Sequence, residues 1–200
     1  MKKLDIKFYD IPTLEQIAKT FTDTYHKTKT LEVDIDYIIE KCLGWTIEAR
    51  GSLVENHCIE AFVTKNKVIY VDAYLMDCKE RKYRFTLAEE VAHYTIHRII
   101  YADCNNLEEH LNIYDRITAN EYWRMDRNAK YLASAILMPA EIFEKRAFEL
   151  YEKIDKKKYK TNEAVLCKIT LDLSNDFNIS DIASKIRFKN LGLHRKLITI

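Results

Sequence analysis

The apolar residues of this chain change their spacing twice, and that change limits the fold more than any other feature. Leu14, Ile17, Ala18, Phe21 and Tyr25 recur at helical spacing, as do Ile35, Ile38, Ile39 and Cys42. From Trp45 onward the period is two: Trp45, Ile47 and Ala49, then Ile59, Ala61 and Val63, then Val68 and Tyr70, with Asp72 on the solvent side. Helical spacing returns at residue 86 and persists nearly to the end. The pattern predicts helices over 13–29 and 34–43, a small antiparallel sheet, and helices thereafter. The later helices are expected at 86–99, in pieces over 106–122, at 126–137, from 141 through 151, and as two short tail helices. Pro12 and Thr13 suit the first helix start, and Gly44 and Gly192 suit helix ends. The class is therefore α+β, mainly helical.

Three Gly and two Pro among 200 residues leave little material for a flexible linker. The length fits one domain, or one with a small appendage. We expect a main domain over 1–150 and a helical C-terminal extension over 151–200, packed on or beside it. Net charge is +1, so no global attraction to nucleic acid or membrane is expected. Lys7 and Asp10 interrupt the segment after Met1-Lys2-Lys3 that a signal peptide would need to be apolar, and no run of about eighteen apolar residues follows anywhere. Five cysteines, an odd number with no CxxC spacing, predict buried free thiols and a cytoplasmic location. Lys153, Lys156, Lys157, Lys158 and Lys160 form a basic run. It reads either as a solvated helix end or as a partner contact. The tail helices, the second capped by Ser180, outline a helix-turn-helix, but little Arg or Lys clusters near Ser180, which weighs against direct nucleic-acid binding.

The chemistry concentrates in Thr86-Leu87-Ala88-Glu89-Glu90-Val91-Ala92-His93-Tyr94, with His97 following. Glu89 and His93, four apart, share a helical face, so one helix aims a carboxylate and an imidazole at one point, and zinc accepts both. Glu90 lies about 100° further round, where a general base beside metal-bound water would stand. A second reading needs no metal. Thr86 and Glu89 have the spacing of a capping box, with Thr86 at the helix start and Glu89 reaching back.

These residues carry a resemblance. Arg84-Phe85-Thr86-Leu87-Ala88-Glu89-Glu90-Val91-Ala92-His93-Tyr94 resembles the Arg-Phe-Thr-Leu-Ala-His-Glu-Leu-Gly-His-Tyr signature of the ImmA/IrrE metallopeptidases. Asn128-Ala129-Lys130-Tyr131-Leu132-Ala133-Ser134-Ala135-Ile136-Leu137-Met138-Pro139 resembles that family's Glu-Ala-Asn-x-Phe-Ala-Ala-x-Leu-Leu-Met-Pro. The tail from Phe177-Asn178-Ile179-Ser180 through Gly192-Leu193 is similar as well. The resemblance implies a zincin-like metallopeptidase domain, with Glu90 as catalytic base and a metal held at Glu89, His93 and Asn128. Asp126 and His97 are the nearest substitute ligands. The family's first histidine ligand falls on Glu89 and its glutamate ligand on Asn128, which offers only a neutral carbonyl oxygen. The implied cofactor is zinc or another divalent metal, or none. The implied partner is a protein, a transcriptional regulator, with no membrane. Two functions stay open: an endopeptidase that cuts the regulator with metal-activated water and Glu90, or a pseudo-peptidase that binds it uncut.

Overall fold

The computed structural model describes residues 6–155 and 157–197. The Met1-Lys2-Lys3 start and Lys156 of the basic run lie outside the described residues, as does the side chain of Tyr114. Helix α1 (Ile11–Tyr25) is capped by Asp10. Helix α2 (Ile35–Tyr37), capped by Asp34, runs on as a π-turn over Ile38–Cys42. Gly44, at φ +65°, then turns the chain into strand β1 (Thr46–Arg50). A short helix α3 (Leu53–His57) precedes β2 (Ala61–Val63) and β3 (Val68–Asp72). Helices α4 (Ala73–Cys78), α5 (Glu80–Ile96), α6 (Arg98–Tyr101) and α7 (Leu107–Tyr114) lead to the long α8 (Ala119–Leu137). The chain closes with α9 (Ala140–Lys153), α10 (Asn162–Asp176), α11 (Asp181–Asn190) and α12 (Leu193–Lys196).

The α+β class holds, with one difference in the sheet. Its order is β1-β3-β2, with β2 and β3 antiparallel and β1 parallel to β3, so it is mixed rather than wholly antiparallel. The hairpin at 64–67 pairs β2 with β3, while α3 separates β1 from β2 and lets β1 reach the far side of β3. Asp72 does not face solvent. It is 3% exposed and joins two elements, accepting the Tyr74 amide at the start of α4 and the Val54 amide of α3, each at 3.0 Å. Cysteine placement also departs from expectation: Cys104 is buried, whereas Cys42, Cys58, Cys78 and Cys167 are exposed free thiols.

The core is built on α5 against α8. Leu87, Ala88, Val91 and Ala92 meet a face formed by Ala129, Leu132, Ala133 and Ile136, all essentially sealed from solvent. Alanines on both helices let the two axes approach closely, and each fully buried Leu or Ile contributes roughly 1.5–3 kcal/mol. The same core takes in Leu14 and Ala18 of α1, Ile69 and Val71 of β3, and Val165, Ile169, Leu173 and Phe188 from α10 and α11. Arg187 of α11 is wholly buried. Its Nε donates to the Met138 carbonyl at 3.0 Å and its other nitrogens to the Glu15 carboxylate, which also accepts the Tyr131 hydroxyl at 2.6 Å. One guanidinium thus fastens α11 to α1 and to the end of α8.

Candidate functional site

Helix α5 begins at Glu80, six residues before Thr86, and its N-cap is Lys79. The capping reading of Thr86 and Glu89 is therefore corrected. Thr86 sits in the second turn, and its hydroxyl donates to Glu60 Oε2 at 3.1 Å. The helix is buried nearly all round, with Arg84 inside, donating to the Val33 carbonyl at 2.8 Å and pairing with Glu32 at 2.9 Å. An interior helix of this kind delivers Glu89, Glu90 and His93 to a cleft instead of to solvent.

The cleft has a volume of about 220 Å³ and lies between α5, α8 and the approach to β2. Glu89, Glu90 and His93 line it from α5, Asp126 and Lys130 from α8, and Glu60 from the β2 side. Glu90 is 7% exposed, and its Oε2 has no hydrogen-bond partner. Burial pushes its carboxyl up to about 8, with the neighbouring Glu89 adding to the rise and the Val63 amide opposing it. Burial likewise raises Glu89 to about 7, against the pull of the Lys130 ammonium and with a further push from Asp126 and Glu60. Burial carries His93 well below the ordinary imidazole range, helped by His97, His110 and Lys130. Both carboxyls of the pair thus favour their protons near neutrality, while His93 stays neutral.

The implied ligands divide into two groups. Glu89, His93 and Asp126 share the cleft with Glu90, whereas Asn128 and His97 are not part of its lining. His93 Nδ1 meets His97 Nδ1 at 3.2 Å, so one ring donates to the other and both atoms are occupied. On the opposite edge, His93 Nε2 lies 3.9 Å from Glu89 Oε1. Asn128 is buried, and its Nδ2 has no partner. Asp126 accepts the Lys130 ammonium at 2.7 and 2.9 Å, an i,i+4 pair along α8.

A zinc site needs three or four N, S or O donors converging at about 2.0–2.3 Å, with at least a near-tetrahedral spread. Among the described residues, no group of three or more His, Cys, Asp or Glu side chains could hold a metal ion. The donor chemistry agrees. Two imidazoles line the cleft, His93 with one nitrogen taken up by His97 and His110 from α7, while the α8 position of the implied carboxylate is an amide and Asp126 already holds an ammonium. The residues present do not fit zinc.

Three residues of this cleft escape a reading of the signatures alone: Lys130, Glu60 and His110. Lys130 could have been found, because it replaces the signature's asparagine and stands four residues after Asp126. Glu60 and His110 arrive from distant segments and carry no local signal.

The IrrE N-terminal-like domain family matches residues 41–188. A solved structure described as a Mycobacterium tuberculosis transcriptional regulator superposes with a TM-score of 0.55 at 16% identity, covering 87% of this chain and 45% of that one. At that identity the likeness speaks for the fold alone, and this chain spans less than half the length of that protein. No curated protein matches the sequence.

Proposed function

The chain belongs to the IrrE N-terminal-like domain family, and from that premise we propose that it is a non-catalytic member of a peptidase fold that holds a regulatory protein without cutting it. The observation that carries this reading is the failure of the implied ligands to converge. His93 spends one nitrogen on His97, Asn128 stands where the family places a carboxylate, and Lys130 puts an ammonium on Asp126 in the same cleft. What these residues do well is bind: a cleft with buried polar groups and a partly exposed Tyr122 at its lining suits a protein segment.

A transcriptional regulator is the partner we favour, in keeping with the family and with the printed description of the structural neighbour. No described helix is long and apolar enough to cross a membrane, and the free thiols suit a cytoplasmic setting. The tail weighs against a DNA reader. Ser184, Arg187 and Phe188 of α11 face the core, and the Ser184 hydroxyl donates to the Thr170 carbonyl of α10 at 2.7 Å. The basic run at the end of α9 is exposed at Lys153, Lys157, Lys158 and Lys160, consistent with a solvated helix end.

The test is a cleavage assay on a denatured protein substrate with added zinc or manganese. Wild type and Glu90→Gln are expected to give the same background. A metal-dependent rate in the wild type, reduced a hundredfold or more in Glu90→Gln, would overturn the proposal.

A further inference from the structure

The cleft is lined by acidic side chains although they do not suit zinc. Glu89 and Glu90 are adjacent on α5, with Glu60 and Asp126 on the flanking walls. Glu60 is already paired with Lys82 and bonded by Thr86, and Asp126 is held by Lys130. That leaves Glu89 and Glu90 as the carboxyls without a bound cation. Glu90 Oε2 in particular is sealed from solvent, has no hydrogen-bond partner, and belongs to a side chain that lines the cleft. A buried acceptor left in this state costs about 1–3 kcal/mol, which an incoming donor recovers. At about 220 Å³ the space is smaller than the roughly 300–1,000 Å³ of small-molecule sites and suits one inserted side chain.

From this geometry we infer that the cleft receives the guanidinium of an arginine carried by the bound partner protein. The inference rests on the non-catalytic reading above and names the chemistry of the segment recognised. A guanidinium suits this place better than a divalent ion. It presents five N–H donors in a flat fork wider than a metal's coordination sphere, its charge favours the ionised form of carboxyls that keep their protons in the empty cleft, and it then bonds carboxylates through two parallel hydrogen bonds. Glu90 Oε2 and the Glu89 carboxyl, on neighbouring positions of α5, are the acceptors the cleft would offer it. Tyr122, 41% exposed, adds an aromatic side chain to the lining. Lys130 is the competing resident charge, and it can stay on Asp126 while the guest occupies the α5 side.

The probes are two capped tripeptides, acetyl-Ala-Arg-Ala-amide and its citrulline counterpart, which keeps the shape and loses the charge. Each is titrated into the full chain by calorimetry, and the recovered peptide is weighed by mass spectrometry. The arginine peptide is expected to bind at least tenfold more tightly than the citrulline peptide. Glu89→Gln and Glu90→Gln, singly and together, are expected to remove that preference, and Lys130→Ala to strengthen arginine binding severalfold. Equal binding of the two peptides, absence of arginine-peptide binding, or a preference that survives in the double variant overturns the inference. A cut peptide overturns the non-catalytic reading instead, so the two failures are distinguishable.

Discussion

Glu15→Ala is expected to destabilise the fold by about 3–5 kcal/mol, the cost of removing one partner from a buried ion pair and leaving the other charge alone. Arg187 has no exposed surface, and Glu15 is its only carboxylate partner among the described residues. The lost hydrogen bond from Tyr131 adds to the penalty. Arg187→Met, which removes the charge and keeps bulk, is expected to cost less than Glu15→Ala. Urea unfolding of the two variants beside wild type measures both effects. Equal stability of Glu15→Ala and wild type would show that α11 is not fastened in this way. The pair also sets an acid limit. Burial pushes the Glu15 carboxyl up, but hydrogen bonds and charge from Arg187, with the Tyr131 hydroxyl, outweigh it and hold the group below its usual range. Its contribution is present above the ordinary glutamate pKa and is lost as pH falls through the lower folded value. The stability difference between wild type and Glu15→Ala should therefore shrink toward low pH.

Glu90→Gln is the second large effect, and its sign opposes the one a working peptidase would give for function. Gln has the shape of the protonated acid and can still accept the Val63 amide, so the substitution removes only the tendency to ionise in a sealed site. With the folded Glu90 near 8 and an ordinary unfolded value of 4.5, the wild-type fold loses stability as pH rises from about 4.5 to about 8 and is level above that. Relative to wild type, Glu90→Gln should be nearly neutral at pH 4.5 and more stable by a few kcal/mol at pH 8. Thermal unfolding of both proteins across that range reads the difference directly. A variant less stable than wild type at pH 8 would mean that the ionised carboxylate has a partner in the folded protein.

The elements legible in the sequence are those with a clear inner and outer side. The face of α1 with Leu14 and Ala18, the alternation of buried Ile69 and Val71 with Val68 and Tyr70 in β3, and the spacing of Val165, Ile169 and Leu173 in α10 all follow from half-buried surfaces, whereas β1 is largely exposed and β2 buried on both faces. Helix α5 illustrates the opposite case. Its first turns hold Glu80, Arg81 and Lys82, which read as loop, and then Tyr83 and Arg84, which are buried among partners from distant segments. With no polar stripe to mark a solvent side, apolar spacing alone puts the start at Thr86, six residues inside the helix. Helix α3 spans five residues, Leu53–His57, too few for a period to register. It also lies between Ser52 and Cys58, both in left-handed backbone conformations that their residue types do not announce. The parallel pairing of β1 was hidden for the same reason, since without α3 the three strands read as successive hairpins.

At the cleft, the signatures located Glu89, Glu90 and His93 correctly on one helix and left the rest to tertiary structure. Asn128 and Asp126 are two residues apart on α8, yet Asp126 enters the cleft and Asn128 does not. That choice depends on how α8 rotates against α5, which the packing of Ala129, Leu132 and Ala133 decides. The pairing of His93 with His97 was equally out of reach: an i,i+4 spacing allows two imidazoles to meet, but here the burial of both rings makes them each other's partner.

Metal content decides whether this cleft holds a catalytic ion. Protein purified without chelator or polyhistidine tag, soaked with zinc and desalted, is assayed by elemental mass spectrometry beside a His93→Ala control. No zinc or manganese above the level of the control is expected. About one metal per chain in the wild type, lost in His93→Ala, would contradict that expectation and return Glu90 to the role of base.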